Sequence, residues 1–188
     1  MGLMACPAVV NNSTMERLEL RPALGVEPLV AAYCRWWTEG MFSRIFPNQP
    51  NMTLAEFLAW NTSPRVTPVG CYAGGNLVGV GWINQVLHVA DKKVAEVGAG
   101  FFKETPLSQW RRGLEQMIEY GFVDRGCAAV YGTSPRPNRL ACALAIGAGM
   151  RETGHIPLFT SWEGKAVDAV IYSLRREEWE DNYGVRGQ

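Results

Sequence analysis

Apolar positions along the chain change period several times, and each change marks an element. Residues 17–23, "RLELRPA", alternate and predict a first strand. Over residues 26–42, Leu29, Tyr33, Trp36, Trp37 and Phe42 gather on one side of a helix that stops near Gly40. "SRIFPNQPN" follows as a loop. In "TLAEFLAWN", Thr53 can cap a short helix, and Glu56, three residues on, completes a capping-box spacing. "TPVGCYAGG" and "NLVGVGWINQVL" predict two strands joined by the turn "GGN". After "ADKK", residues 94–102, "VAEVGAGFF", predict a third strand, small and glycine-rich, and the three form an antiparallel meander.

The clearest helix covers residues 107–126. Leu107, Trp110, Leu114, Met117, Ile118 and Phe122 follow the 3-and-4 spacing, and Gly126 stops it. "CAAVYGTS" is then a strand that crosses back, and "NRLACALAIGAGM" a helix. "HIPLFTSWEG" and "KAVDAVIYSLR" close the chain as a hairpin about "WEGK". The order is β-α-α-β-β-β-α-β-α-β-β, an α/β (α+β) arrangement. It implies one domain over residues 16–180, a loose leader at 1–15 and a tail at 181–188.

Composition narrows the reading. The 188 residues suffice for one proper core, and 47% apolar with 19% charged is ordinary for a soluble globular protein. A net charge of zero argues against a general polyanion binder. The five cysteines, Cys6, Cys34, Cys71, Cys127 and Cys142, are odd in number and contain no CxxC pair. That predicts reduced thiols in a cytoplasmic protein and neither a disulfide framework nor a zinc site. His88 and His155 lack metal-ligand spacing, so no metal is expected. No stretch is long and apolar enough to span a membrane.

The element order resembles that of the GNAT superfamily of acyl-CoA-dependent N-acyltransferases. Three local features carry the resemblance: a glycine-containing strand followed by a helix start in mid-chain; Asn138 opening a helix that ends "GAGMRETG"; and the C-terminal "EGKAVDAVIYSLRREEW". The last is similar to the ribosomal-protein-acetylating branch, and a phage or prophage type is one form this could take. The resemblance covers roughly residues 16–180, with its specific part in the C-terminal third. It implies a mixed central sheet whose middle strands splay, with helices on its flanks and acyl-CoA in the gap.

The resemblance also implies roles. Acetyl-CoA would be the cosubstrate and an amine (a protein N-terminus, a lysine or a small amine) the acceptor. Phe101, Phe102 and Lys103 would pair their backbone with the pantetheine arm; otherwise they are a buried strand end. The pyrophosphate loop maps onto "KETPLSQWRRG", where Gly113 stands as the sole glycine and Gln109, Trp110, Arg111 and Arg112 occupy positions the family leaves small. Arg111 and Arg112 could bind phosphate by side chain, or form a solvated helix face. Glu96 is the candidate base that takes the amine's proton, and its alternative is a cross-strand partner for Lys93. Asn138 could bond the pantetheine or simply cap its helix. Ser134, Thr133 and Tyr131 are candidates to reprotonate the leaving thiolate, because residues 140–146, where the family often places a tyrosine, hold none. Tyr33, Trp36 and Trp37 could line an acceptor pocket or pack a core.

Two other functions stay open. One is a GNAT-like module without transfer chemistry, such as a phage assembly or partner-binding protein. The other is DNA base modification, with Arg111, Arg112, Arg136 and Arg139 as a basic lip; nucleic acid is the less favoured partner. The chain could be a monomer or a homodimer.

Overall fold

A computed structural model describes residues 18–183. The elements run β1 (Leu18–Pro22), α1 (Val26–Thr38), α2 (Phe42–Ile45), α3 (Leu54–Asn61), β2 (Val66–Ala73), β3 (Asn76–Val89) and β4 (Lys92–Phe101). Then follow α4 (Leu107–Val123), β5 (Ala129–Pro135), α5 (Arg139–Gly147), β6 (Arg151–Trp162), β7 (Lys165–Arg175) and α6 (Arg176–Tyr183). The seven strands make one mixed sheet in the order β1-β2-β3-β4-β5-β7-β6. The meander β2-β3-β4 is antiparallel, as its turn residues imply. The sheet is flanked by helices, with the element order read from the sequence.

Two helices go beyond that reading. The segment expected as a loop after residue 42 contains the single turn α2, which seats Phe42 in the core. The C-terminal "REEWEDNY" is helical, so α6 passes residue 180 and takes in 181–183, which were expected in a tail. Arg176 anchors it by donating to the Cys127 carbonyl at 3.0 Å and to the Phe122 carbonyl. Trp179 lies 5.4 Å from the Phe122 ring. The expected leader 1–15 and residues 184–188 lie outside the described residues, as does Cys6. Of the others, Cys34, Cys71, Cys127 and Cys142 are free thiols.

Strand side chains alternate between faces, so each strand feeds two cores. Val69, Ile83, Ala95, Val97 and Val130 meet Met117, Ile118 and Phe122 of α4 and Ala145 of α5. Val80 and Trp82 turn the other way, into Leu29, Trp36, Phe42 and Phe57 from the first three helices. Thr53 and Glu56 form the expected capping box, which sets the start of α3 and the wall it builds. Among the described residues no helix is long and apolar enough to cross a membrane.

Candidate functional site

The middle of the sheet is a fork. β4 and β5 run parallel and pair at three positions only: Val94 with Ala129, Ala95 with Val130, and Glu96 with Tyr131. Beyond the third pair each strand stays with its outer neighbour, β4 with β3 as far as Phe101 and β5 with β7 as far as Pro135. Gly132 lets the strands stay close at the vertex, since a Cβ there would stand 2.9 Å from the Val97 carbonyl oxygen. A cavity of about 650 Å³ occupies the gap.

This cavity passes through the sheet. On the α4–α5 side it is lined by Leu114, Leu144, Met150 and Tyr172. On the α1–α3 side its walls are Phe46, Trp60, Trp82, Asn84 and Glu96. The register explains the second group, because Asn84 stands opposite Glu96 and Trp82 opposite Gly98 on adjacent strands. Gly98 leaves open the space over the Trp82 ring; a Cβ there would lie 3.8 Å from Trp82 Cε3.

Glu96 sits at the vertex, half-buried. Asn84 Nδ2 donates to Glu96 Oε2 at 3.2 Å. Burial pushes the Glu96 carboxyl above its ordinary value, and hydrogen bonds with Asn84 and Thr133 partly offset this. Lys93, the alternative partner, is paired across the ladder with His88, and no ion pair forms at Glu96 among the described residues. The carboxylate is therefore held by neutral groups in a partly desolvated place. Asn84 Oδ1 is buried with no hydrogen-bond partner among the described residues.

The other predicted residues divide. Ser134, Phe101 and Asn138 line the same cavity as Glu96. Asn138 also caps α5, its Oδ1 accepting from the Ala141 amide at 3.2 Å. Tyr131 stands beside Glu96 in the ladder but is not among the lining residues; burial first, then the Glu96 charge, raises its hydroxyl above the ordinary value. Phe102 is buried among the rings of the first helices, and with Gln109 it lines a separate cavity of about 410 Å³. The Lys103 amide donates to the Glu39 carboxylate at 2.7 Å. Arg111 pairs with Glu115 at 2.9 Å, Arg112 is exposed, and neither lines the fork. Gly113 lets α4 press onto Phe101, whose Cζ would lie 2.3 Å from an added Cβ. Trp110 lines the cavity and stacks on Phe101 at 5.5 Å, where the resembling family has a small residue. Tyr33, Trp36 and Trp37 are not in the cavity wall; Trp36 is fully buried, and Tyr33 donates to the Met52 carbonyl.

No family model matches the sequence, and no curated protein matches it. Solved structures do match in shape. A spermidine N-acetyltransferase from Vibrio cholerae, in complex with CoA and spermine, superposes with a TM-score of 0.74 at 16% identity, over 86% of this chain and 97% of that one. RimJ of Mycobacterium smegmatis, in complex with CoA-disulfide, gives 0.69 at 17% identity, over 86% and 83%. A ribosomal-protein-S5-alanine acetyltransferase from Vibrio fischeri gives 0.69 at 11% identity, over 87% and 96%.

The chain has the GNAT fold.

In this GNAT domain the fork between β4 and β5 is the splay the resemblance implied, and Glu96 stands at its vertex. What the sequence did not single out is the wall around that carboxylate. Asn84, Trp82, Trp60 and Phe46 went unnamed as site residues. "GWIN" held a signal, because Trp82 and Asn84 are two apart and share a face, but only the register brings them to Glu96. Among the described residues no group of three or more His, Cys, Asp or Glu is placed to hold a metal ion.

Proposed function

We propose that this chain is an N-acyltransferase that moves an acetyl group from acetyl-CoA to a primary amine by direct transfer. The observation that carries this is Glu96: a carboxylate with a raised pKa, at the vertex of a cavity that opens to both faces of the sheet. Such a site lets a thioester enter from the α4–α5 side and an amine from the α1–α3 side. Bringing the two together supplies much of the rate.

The reaction needs a neutral amine. Glu96 takes the ammonium proton, directly or through a water, and its raised pKa suits it to the task. The amine nitrogen then forms a bond to the acyl carbon, the carbon–sulfur bond breaks, and the departing thiolate takes a proton. Ser134 stands in the cavity for that last step, with Tyr131 behind it. Backbone groups of β4 that face the gap, near Phe101, are available to an extended pantetheine arm. Asn138 can add its side chain from the opposite lip. The first turn of α4 has no side-chain cap; the Gln109 and Trp110 N–H groups donate to the Pro106 carbonyl, which leaves those of Leu107 and Ser108 to an anion.

Calorimetric titration with acetyl-CoA, and with plain CoA as control, tests the reading. Micromolar binding is the expected result. Glu96→Gln should then lower turnover by about 10²–10⁴-fold with little change in cofactor affinity. A variant whose turnover equals that of the parent at every pH would remove Glu96 from the base role.

Trp110 favours a second reading, a GNAT module that has lost transfer. Its ring fills space beside Phe101 where a phosphate loop is normally small. Absence of binding at millimolar acetyl-CoA is the result this alternative requires. The DNA-modifying alternative draws less support from the geometry, because Arg111 pairs with Glu115 and Arg136 lies 3.8 Å from Asp168.

A further inference from the structure

The cavity wall on the α1–α3 face carries information about the acceptor. Its ionic inventory is short. Among the described lining residues Glu96 is the single carboxylate, and Arg44 and Arg139 are the cations. Arg44 is exposed and forms no ion pair among the described residues, so its charge stays available at the α2 side of the cavity. One ammonium can be placed against Glu96, and the buried, unpartnered Asn84 Oδ1 offers it a second acceptor. A second ammonium further out would meet Arg44 with no carboxylate to neutralise it. Like charges brought together at a binding surface suppress the wrong partner.

Beyond the Glu96–Asn84 pair the wall is aromatic. Phe46, Trp60 and Trp82 form it, with ring centroids 5.3 Å apart for Phe46 and Trp82 and 5.6 Å for Trp60 and Trp82. Trp82 is also held in place, its Nε1 donating to the buried Asn61 Oδ1 at 2.7 Å. A cation can bind to rings when it reaches their faces. Here the rings spend those faces on one another, with Trp36 against Trp82 at 5.8 Å and Phe46 edge-on to both Trp60 and Trp82. What remains for a ligand is a rigid apolar surface.

We propose that the acceptor is a primary monoamine carried on an aromatic or apolar body, and that polyamines are excluded. Glu96 and Asn84 receive the amine, the Phe46–Trp60–Trp82 wall receives the body, and Arg44 repels a second positive charge. Asn84 acts as a positioning residue for the ammonium. The proposal rests on the acyl-transfer reading but makes its own claim about binding.

The experiment therefore measures binding and transfer apart. Phenethylamine and spermidine are titrated into the full chain by calorimetry, with and without CoA. Acetylation of each by acetyl-CoA is then followed. The expected result is binding of phenethylamine, with kcat/KM at least about tenfold above that of spermidine. Arg44→Glu, an exposed change away from the reacting atoms, should narrow that ratio by raising spermidine. Spermidine binding as tightly as phenethylamine, or failure of both to bind, overturns the proposal. Binding of phenethylamine alone with no acetyl transfer keeps the proposed amine site and overturns the transferase reading instead.

Discussion

On the α1–α3 face of the sheet, rings pack on rings. Trp36 touches Phe46, Phe57, Trp82 and Phe102, all with centroids within 6.3 Å. On the α4–α5 face the core is mostly aliphatic: Ile83, Val97, Met117, Ile118, Val130 and Leu174, with Phe122 among them. The same strands serve both. Stiff rings give a wall of defined shape, and that is where the proposed acceptor binds. Unbranched and branched aliphatic chains repack more freely, and there the sheet faces the long helix α4.

The largest break in this contrast should come from Trp36→Ala, which empties the centre of the ring cluster. A loss of about 3–5 kcal/mol is expected, against about 2–5 kcal/mol for Met117→Ala on the other face. Urea unfolding of both variants decides the order, and a larger loss at Met117 would mean that the ring side is the softer one. Asn61→Ala comes next. It strips the buried Trp82 Nε1 of its acceptor and should cost about 1–3 kcal/mol. Its crystal structure should show the Trp82 ring displaced; an unmoved ring would reject the anchoring role.

Two glycines sharpen the comparison within the α4 face. An added Cβ at Gly81 would meet Met117 Sδ at 2.5 Å, and one at Gly113 would meet Phe101 Cζ at 2.3 Å. Met117 can swing aside; Phe101 is pinned by Trp110. Gly113→Ala should therefore lose about 1–3 kcal/mol and Gly81→Ala less, read from thermal midpoints.

The smallest effect concerns Glu96. Because burial raises its pKa, the fold is favoured while the carboxyl is protonated, and that stability is lost as pH rises through the folded-state value. Glu96→Gln removes the loss. Its thermal midpoint should match or exceed that of the parent at pH 8, with the gap closing as pH falls toward the ordinary glutamate value of 4.5. A gap that does not change with pH would mean that Glu96 titrates normally.

What the sequence made legible was local. The α4 stripe, the Thr53–Glu56 box and the turns of the meander all announce themselves within a few residues. α2 and α6 do not. Four residues are too short to show a period, and α6 is held by Arg176 reaching back to carbonyls near residues 122 and 127. Glu96 stood out as a lone carboxylate among small strand residues. Its partner Asn84 did not, because the pairing depends on the β3–β4 register, which shifts between Asn84 and Leu87. The fork itself is a relation between strands separated by a 17-residue helix, and no local pattern encodes it. The resemblance to GNAT proteins supplied it instead.

An open seven-stranded sheet ordinarily has two edges. This one has four: β1 and β6 on the outside, and the inward margins of β4 and β5 past the fork. An unpaired edge invites another strand, and on an outer surface that is an aggregation hazard. Here the inner edges face each other across a gap bounded by the rest of the sheet. The incomplete ladder thus keeps two strand margins inside the sheet, where they border a cavity and not an outer surface.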